Sequence, residues 1–177
     1  LFVPFYAPHT PYDPTPPAYS APYANSAFRD YPDLPPRADQ NKGLRRMFGS
    51  REAKLGYSSL ITAADTNMGR VLKRLEEMKL RDDTLVIFAA DQGWNAGHHG
   101  VWGKGNGTVP FNMLEESIRV PLIWNHPGRI QASTPEAMVS SYDFLPTLAD
   151  YLGLPVPPEP RRVGRSYAGF LRGRAPS

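Results

Sequence analysis

The sequence predicts an α/β protein, and three observations carry that reading. Thr84-Leu85-Val86-Ile87-Phe88-Ala89-Ala90 is rich in strand formers and short enough to be one buried strand. Val120-Pro121-Leu122-Ile123-Trp124 is a second short apolar run. Upstream of both, Leu60, Ile61, Ala64, Met68, Val71, Leu72, Leu75 and Met78 recur at three- and four-residue steps, the period of one helix face. Strand, helix, strand, strand and helix in order, without an internal repeat, suggest α/β.

In chain order, Leu1 to Tyr6 reads as a strand closed by Ala7-Pro8-His9-Thr10-Pro11. The prolines flanking His9 restrict the backbone on both sides of it. That ring is either a surface turn histidine or one held at a strand end for use. Residues 13–49 form an irregular, proline-rich connection, with tyrosines as anchors and too many prolines for a long helix. Structureless loops this long are uncommon and often border a functional site. The helix runs from about Lys54 to Lys79, with Arg70, Lys73, Arg74, Glu76 and Glu77 on its wet face. Pro121 suits a strand start. His126-Pro127-Gly128 is a turn, and Val139 to Leu152 is a helix stopped by Gly153, with Asp143 a candidate cap. Residues 154–177 are a strap, with one short helix expected within Arg165 to Gly173.

Composition narrows the function. The 177 residues are 41% hydrophobic and 21% charged, enough for a packed core. The net charge of +3 is spread among interspersed acids and bases, so no nucleic-acid track is expected. The chain has no cysteine, which excludes disulfides, zinc–thiolate sites and a cysteine nucleophile within it. No run approaches the roughly 20 apolar residues of a membrane span. The sequence begins without methionine inside an apolar run, and a piece of a larger domain is expected.

The chemistry gathers in Asp91 to Lys104, directly after the first apolar run. In open α/β sheets ligands sit at the carboxyl ends of strands. Within fourteen residues this loop offers a carboxylate (Asp91), a carboxamide (Gln92), two imidazoles (His98, His99) and an ammonium (Lys104). Gly93, Gly97, Gly100 and Gly103 allow the backbone to fold them inward. Asp91 and Gln92 are hard oxygen donors suited to calcium or magnesium, although two ligands do not complete a site. An Asp that merely starts a turn reads the same way. A lysine beside imidazoles suits a tetrahedral oxyanion, and a plain basic, glycine-rich surface loop is the competing reading of the same residues. Adjacent histidines on a loop point apart, so one of the two is expected to face the site.

Six separated motifs, in order, resemble the later part of the type I sulfatases of the alkaline phosphatase-like superfamily. They are Ala7-Pro8-His9-Thr10-Pro11, the Tyr57–Leu75 helix, Asp83-Thr84-Leu85-Val86-Ile87-Phe88 through Asp91-Gln92-Gly93, and Gly97 to Lys104 as G-x-H-G-x-x-x-K. Glu115-Glu116-Ser117-Ile118-Arg119-Val120-Pro121 and Asp143-Phe144-Leu145-Pro146-Thr147-Leu148 complete the set. The resemblance implies a partial alkaline phosphatase-like sandwich, with a central mostly parallel sheet flanked by helices and an incomplete N-terminal portion, and sulfate-ester hydrolysis. It implies catalytic His9, His99 and Lys104, substrate contacts from His9, His98 and Lys104, and calcium (or magnesium) on Asp91 and Gln92. His98 departs from the family, where an acid is frequent. The family's formylglycine comes from a C/S-x-P-x-R motif that lies earlier than these segments; Ser20-Ala21-Pro22-Tyr23-Ala24 lacks the arginine. The expected partners are a sulfated small molecule or glycan and the rest of the same domain, which would carry the nucleophile. A fragment alone is expected to be inactive. A phosphodiesterase or phosphonate hydrolase of the same superfamily, or a non-catalytic sulfated-ligand-binding remnant, are the alternatives. A periplasmic or secreted location is a family expectation.

Overall fold

The structure is a computed structural model that describes residues 1–12, 15–156 and 158–174. Parts of the predicted connection (Asp13, Pro14) and strap (Pro157, 175–177) lie outside the described residues. The chain forms two compact units, one of Leu1–Glu77 with Gln92–Val120, the other of Met78–Asp91 with Pro121–Ser177.

The first unit contains α1 (Pro17–Ser20), α2 (Arg51–Glu77) and α3 (Glu115–Ile118). Its core is aromatic. Tyr57 stacks on Trp94 with centroids 5.8 Å apart, Trp94 meets Trp102 edge-on at 6.0 Å, and Tyr31 stacks on Trp102 at 6.3 Å. Each such pair contributes about 0.5–1.5 kcal/mol beyond its buried area. Trp102 and Val101 are completely buried. The tyrosines do anchor the proline-rich connection to α2: the Tyr23 hydroxyl lies 2.7 Å from Thr62 Oγ1, and that of Tyr31 lies 2.8 Å from Ser58 Oγ. The prolines leave only one-turn pieces there, α1 and the 3-10 turns Ala21–Tyr23 and Arg45–Met47.

The second unit holds β1 (Val86–Ala89), β2 (Leu122–Asn125), α4 (Phe144–Leu152) and α5 (Ala168–Leu171). Trp124 centres it, with Phe144 at 5.6 Å and Tyr151 at 6.4 Å between ring centroids, while its Nε1 donates to the Tyr167 hydroxyl at 3.1 Å. Gly153 closes α4 in the left-handed region at φ 68°, and the amide of Leu154 returns to the Ala149 carbonyl at 2.8 Å.

The α/β class holds, with four differences from expectation. Val86 pairs with Asn125 and Ala89 with Leu122 in an antiparallel ladder, so the sheet among the described residues is one antiparallel pair. The run Leu1 to Tyr6 is not a strand, because a strand requires a ladder and no described segment pairs with it. β1 is only half-buried, with Phe88 38% exposed, since a two-stranded sheet leaves its faces open. Finally α4 begins at Phe144, after a 3-10 turn. The Asp143 carboxylate does not cap α4; it accepts the Ser140 amide at 2.8 Å in a capping box on that preceding turn, and the Arg165 amide at 2.7 Å.

The long helix is present, yet its apolar stripe is only partly covered. Leu60, Ala64, Met68 and Leu75 are half-buried, whereas Ile61, Val71 and Leu72, and Met78 just past the helix end, are a third or more exposed, and Leu1 and Phe2 are almost wholly so. Val3 and Phe5 line an open groove of about 650 Å³ with Asn67, Arg70, Val71 and Arg74.

Candidate functional site

The loop that follows β1 is built from hydrogen bonds rather than regular structure. The Gly93 amide donates to the Ser117 carbonyl at 3.0 Å. A Cβ at position 93 would stand 2.1 Å from the Glu116 carbonyl oxygen, so only glycine lets the loop approach this closely. Asn95 is the centre. It is completely buried, and its Nδ2 donates to the Gly103 carbonyl at 2.9 Å and to Ser117 Oγ at 2.6 Å. Its Oδ1 is buried without a hydrogen-bond partner. The Ser117 hydroxyl passes the chain on to Asn112 Oδ1 at 2.6 Å, and Asn112 Nδ2 donates to the Lys104 carbonyl at 3.1 Å. The backbone of Lys104 is thus held by a relay from buried Asn95 and Ser117 through half-buried Asn112. Gly103, at φ 132°, adopts a conformation closed to other residues immediately before it.

The proline-rich connection closes over this loop. Gln40, 3% exposed, accepts the Trp102 amide on Oε1 at 2.8 Å and donates from Nε2 to the Trp102 carbonyl at 3.0 Å. One side chain therefore imitates a strand neighbour. Around it Arg37 N–H reaches the Gly100 carbonyl at 2.9 Å, and Asn41 N–H reaches that of Gly107 at 2.8 Å.

The histidines take separate partners, as expected for neighbours on a loop. His98 Nδ1 lies 2.8 Å from the Asn95 carbonyl, which can only accept, so Nδ1 carries a proton. His99 is half-exposed, and its Nε2 lies 2.8 Å from Glu116 Oε2. The Glu116 carboxyl is held below its ordinary value first by its own backbone N–H and further by His99, with desolvation opposing them. His99 also adopts a left-handed backbone, φ 55° and ψ 18°, which is uncommon outside glycine although histidine is among the enriched exceptions.

Lys104 lies in the same loop, and none of the ion pairs among the described residues takes its ammonium. His9 is exposed in the turn after Tyr6. Its Nδ1 lies 2.6 Å from the Thr10 carbonyl and its ring 5.1 Å from that of Tyr6. Its partners are its own neighbours; the structure records no contact from it to the 91–104 loop. Asp91 and Gln92 are exposed and fall on either side of the division between the two units. Their oxygens suit a hard cation, but no group of three His, Cys, Asp or Glu side chains among the described residues could enclose one. This chain fits part of a calcium or magnesium site, at most two of the usual six to eight or so oxygens.

Beneath the loop, burial pushes the phenols of Tyr12 and Tyr57 up to about 12. Gln40, Asn95, Asn112 and Glu116 were not expected from the sequence. Asparagines and glutamines in an aperiodic stretch give no signal, and Glu116 stood out only as part of a framework motif.

A family profile described as Sulfatase matches residues 1–154. N-acetylglucosamine-6-O-sulfatase of Bacteroides thetaiotaomicron is 38% identical over 102 residues, 57% of this chain and 17% of that protein. Among solved structures, yidJ of Bacteroides fragilis superposes with a TM-score of 0.75 at 27% identity, covering 96% of this chain and 36% of that one. A phosphonate monoester hydrolase from Silicibacter pomeroyi does so with a TM-score of 0.62 at 34% identity, covering 77% of this chain and 26% of that one. The chain therefore spans about a sixth to a third of the length of these relatives.

Proposed function

The chain belongs to the sulfatase family, and we propose that it supplies the anion-gripping part of an enzyme that hydrolyses a sulfate ester. The observation that carries this reading is the relay from buried Asn95 through Ser117 and Asn112 to the Lys104 backbone. Two side-chain amides and a hydroxyl are spent on fixing one lysine whose ammonium is left for an outside partner. In sulfate-ester cleavage negative charge grows on the leaving oxygen as the S–O bond breaks. A preorganised ammonium lowers that barrier because it needs no reorganisation when the charge appears.

In this reading Lys104 and His9 grip sulfate oxygens and stabilise the leaving group, and His99 stands beside them. His98 faces the alcohol part of the substrate. Its Nδ1–H is tied to Asn95, which leaves Nε2 as the nitrogen available for a hydroxyl. Asp91 and Gln92 would hold the cation, which when bound polarises the ester. The nucleophile, a formylglycine in the family, would come from residues outside this sequence. The uncovered part of the α2 stripe, with the exposed run Leu1 to Tyr6, is the face on which those residues would pack. The substrate class is a sulfated small molecule or glycan, and the location periplasmic or secreted.

The test is turnover by the complete protein of an aryl sulfate, in parallel with a phosphonate monoester and a phosphate diester. Sulfate-ester turnover lost in Lys104→Ala supports the reading. Preference for the phosphonate would move the assignment to the second activity, which the likeness to the phosphonate monoester hydrolase favours. Sulfated-ligand binding without turnover of any ester would leave a binding remnant. The 177-residue chain alone is expected to show no rate above its own Lys104→Ala variant, and a calcium- and Lys104-dependent rate from it would sink that claim.

A further inference from the structure

We infer that Glu116 is a positioning residue for His99, fixing which ring nitrogen faces the anion site. This rests on the sulfatase reading given above. The His99 Nε2 lies 2.8 Å from Glu116 Oε2, and an ionised carboxylate can only accept. Glu116 is held ionised by its own backbone N–H together with the imidazole. Nε2 therefore carries the proton and Nδ1 is the nitrogen left to the substrate. This is the base-and-orienter arrangement in which a third group sets the tautomer of a histidine.

The backbone gives a second reason. His99 sits at φ 55°, next to Gly100 at φ 69°, in the left-handed region that side chains seldom occupy. Backbone strain of this kind persists only where the surroundings over-determine it, and it gathers at functional sites. The surroundings are specific. Glu116 belongs to α3 (Glu115–Ile118), and that helix is locked to the loop by the Gly93 amide on the Ser117 carbonyl and by Asn95 on Ser117 Oγ. The carboxylate is thus delivered to the ring by the same contacts that hold the Lys104 relay. On the far side of the turn the Gly100 carbonyl is held by the Arg37 amide, and the Arg37 guanidinium is occupied by Asp39 at 2.9 Å. No other carboxylate among the described residues is paired with His99.

The experiment has two arms, with Glu116→Ala removing the acceptor and Glu116→Gln keeping one without charge. In the first arm, nitrogen-15 spectra of the imidazoles of the chain are compared. The wild type should show His99 with a hydrogen-bonded Nε2–H; Glu116→Ala should lose that signature and Glu116→Gln should retain it in part. In the second arm the complete protein is assayed on an aryl sulfate. Glu116→Ala should lower kcat by about tenfold with little change in KM, and Glu116→Gln should recover part of the loss. Unchanged His99 signals in Glu116→Ala overturn the pairing. Changed signals with an unchanged kcat overturn the positioning role. A wild-type protein that cleaves no ester fails the functional reading instead, and the spectra then still decide the pairing.

Discussion

Gln40→Met removes the two side-chain hydrogen bonds between Gln40 and Trp102 and leaves the backbone bonds of Arg37 and Asn41 in place, while keeping the length of the side chain. In the structure Gln40 bridges the amide and the carbonyl of Trp102 at 2.8 and 3.0 Å. Trp102 is completely buried and Gln40 almost so, which leaves no route for water to replace either bond. A buried backbone group deprived of its partner costs about 1–3 kcal/mol, so two would cost about 2–6. Burying a thioether in place of an amide returns about 1 kcal/mol of that. The net expectation is a loss of about 1–5 kcal/mol. Urea unfolding of the 177-residue chain, followed by circular dichroism, reads it directly. With a slope of about 2 kcal/mol per molar, the midpoint should fall by roughly 0.5–2.5 M. Gln40→Glu should fall at least as far, since it keeps the acceptor, loses the donor and buries a charge. A loss below about 0.5 kcal/mol in Gln40→Met is the size of an ordinary surface change. It would show that the proline-rich connection is not held by Gln40.

Gly93→Ala should destabilise by about 1–3 kcal/mol through overpacking, plus about 1 for the Gly93–Ser117 bond, because its Cβ would overlap the Glu116 carbonyl. Equal midpoints in urea for variant and wild type would contradict the close approach. A pH prediction follows from the buried phenols. Tyr12 and Tyr57 have folded pKa values raised from 10.0 to about 12. Their contribution to stability is therefore whole below pH 10 and is lost as pH climbs from about 10 to about 12. Replacing Tyr57 by Phe should flatten that alkaline loss, and a profile as steep as the wild type would exclude Tyr57 as its source.

Much of the fold was legible because its elements carry their own periods. The three- and four-residue spacing from Leu60 to Leu75 lies within α2, which ends at Glu77 just before Met78, and Pro121 does stand just before β2. What the period could not tell was whether an apolar face meets a partner. Leu1 to Tyr6 and the Val71–Leu72 stripe look like core in sequence and stand exposed in the structure, since burial depends on what packs opposite. Asp143 was legible as a cap but not as the cap of which turn, because a carboxylate can serve either of two adjacent helix starts. At the site, the glycines and the basic side chains from His98 to Lys104 announced themselves. The groups that hold them did not. Gln40 lies 62 positions from Trp102 and Glu116 lies 17 from His99, and such pairings are set by tertiary folding rather than by local spacing.

The distribution of the indoles gives the protein a built-in optical partition. Trp94 and Trp102 belong to the first unit, where Trp102 is completely buried, and Trp124 belongs to the second. The sequence holds three tryptophans in all. Trp124→Phe would therefore leave intrinsic emission that reports on one unit alone, and the double replacement of Trp94 and Trp102 would leave emission from the other. Because the chain enters each unit twice, at Met78, Gln92 and Pro121, the two signals should vanish together on titration with denaturant. Separate transitions would mean that the unit carrying His98, His99 and Lys104 melts on its own.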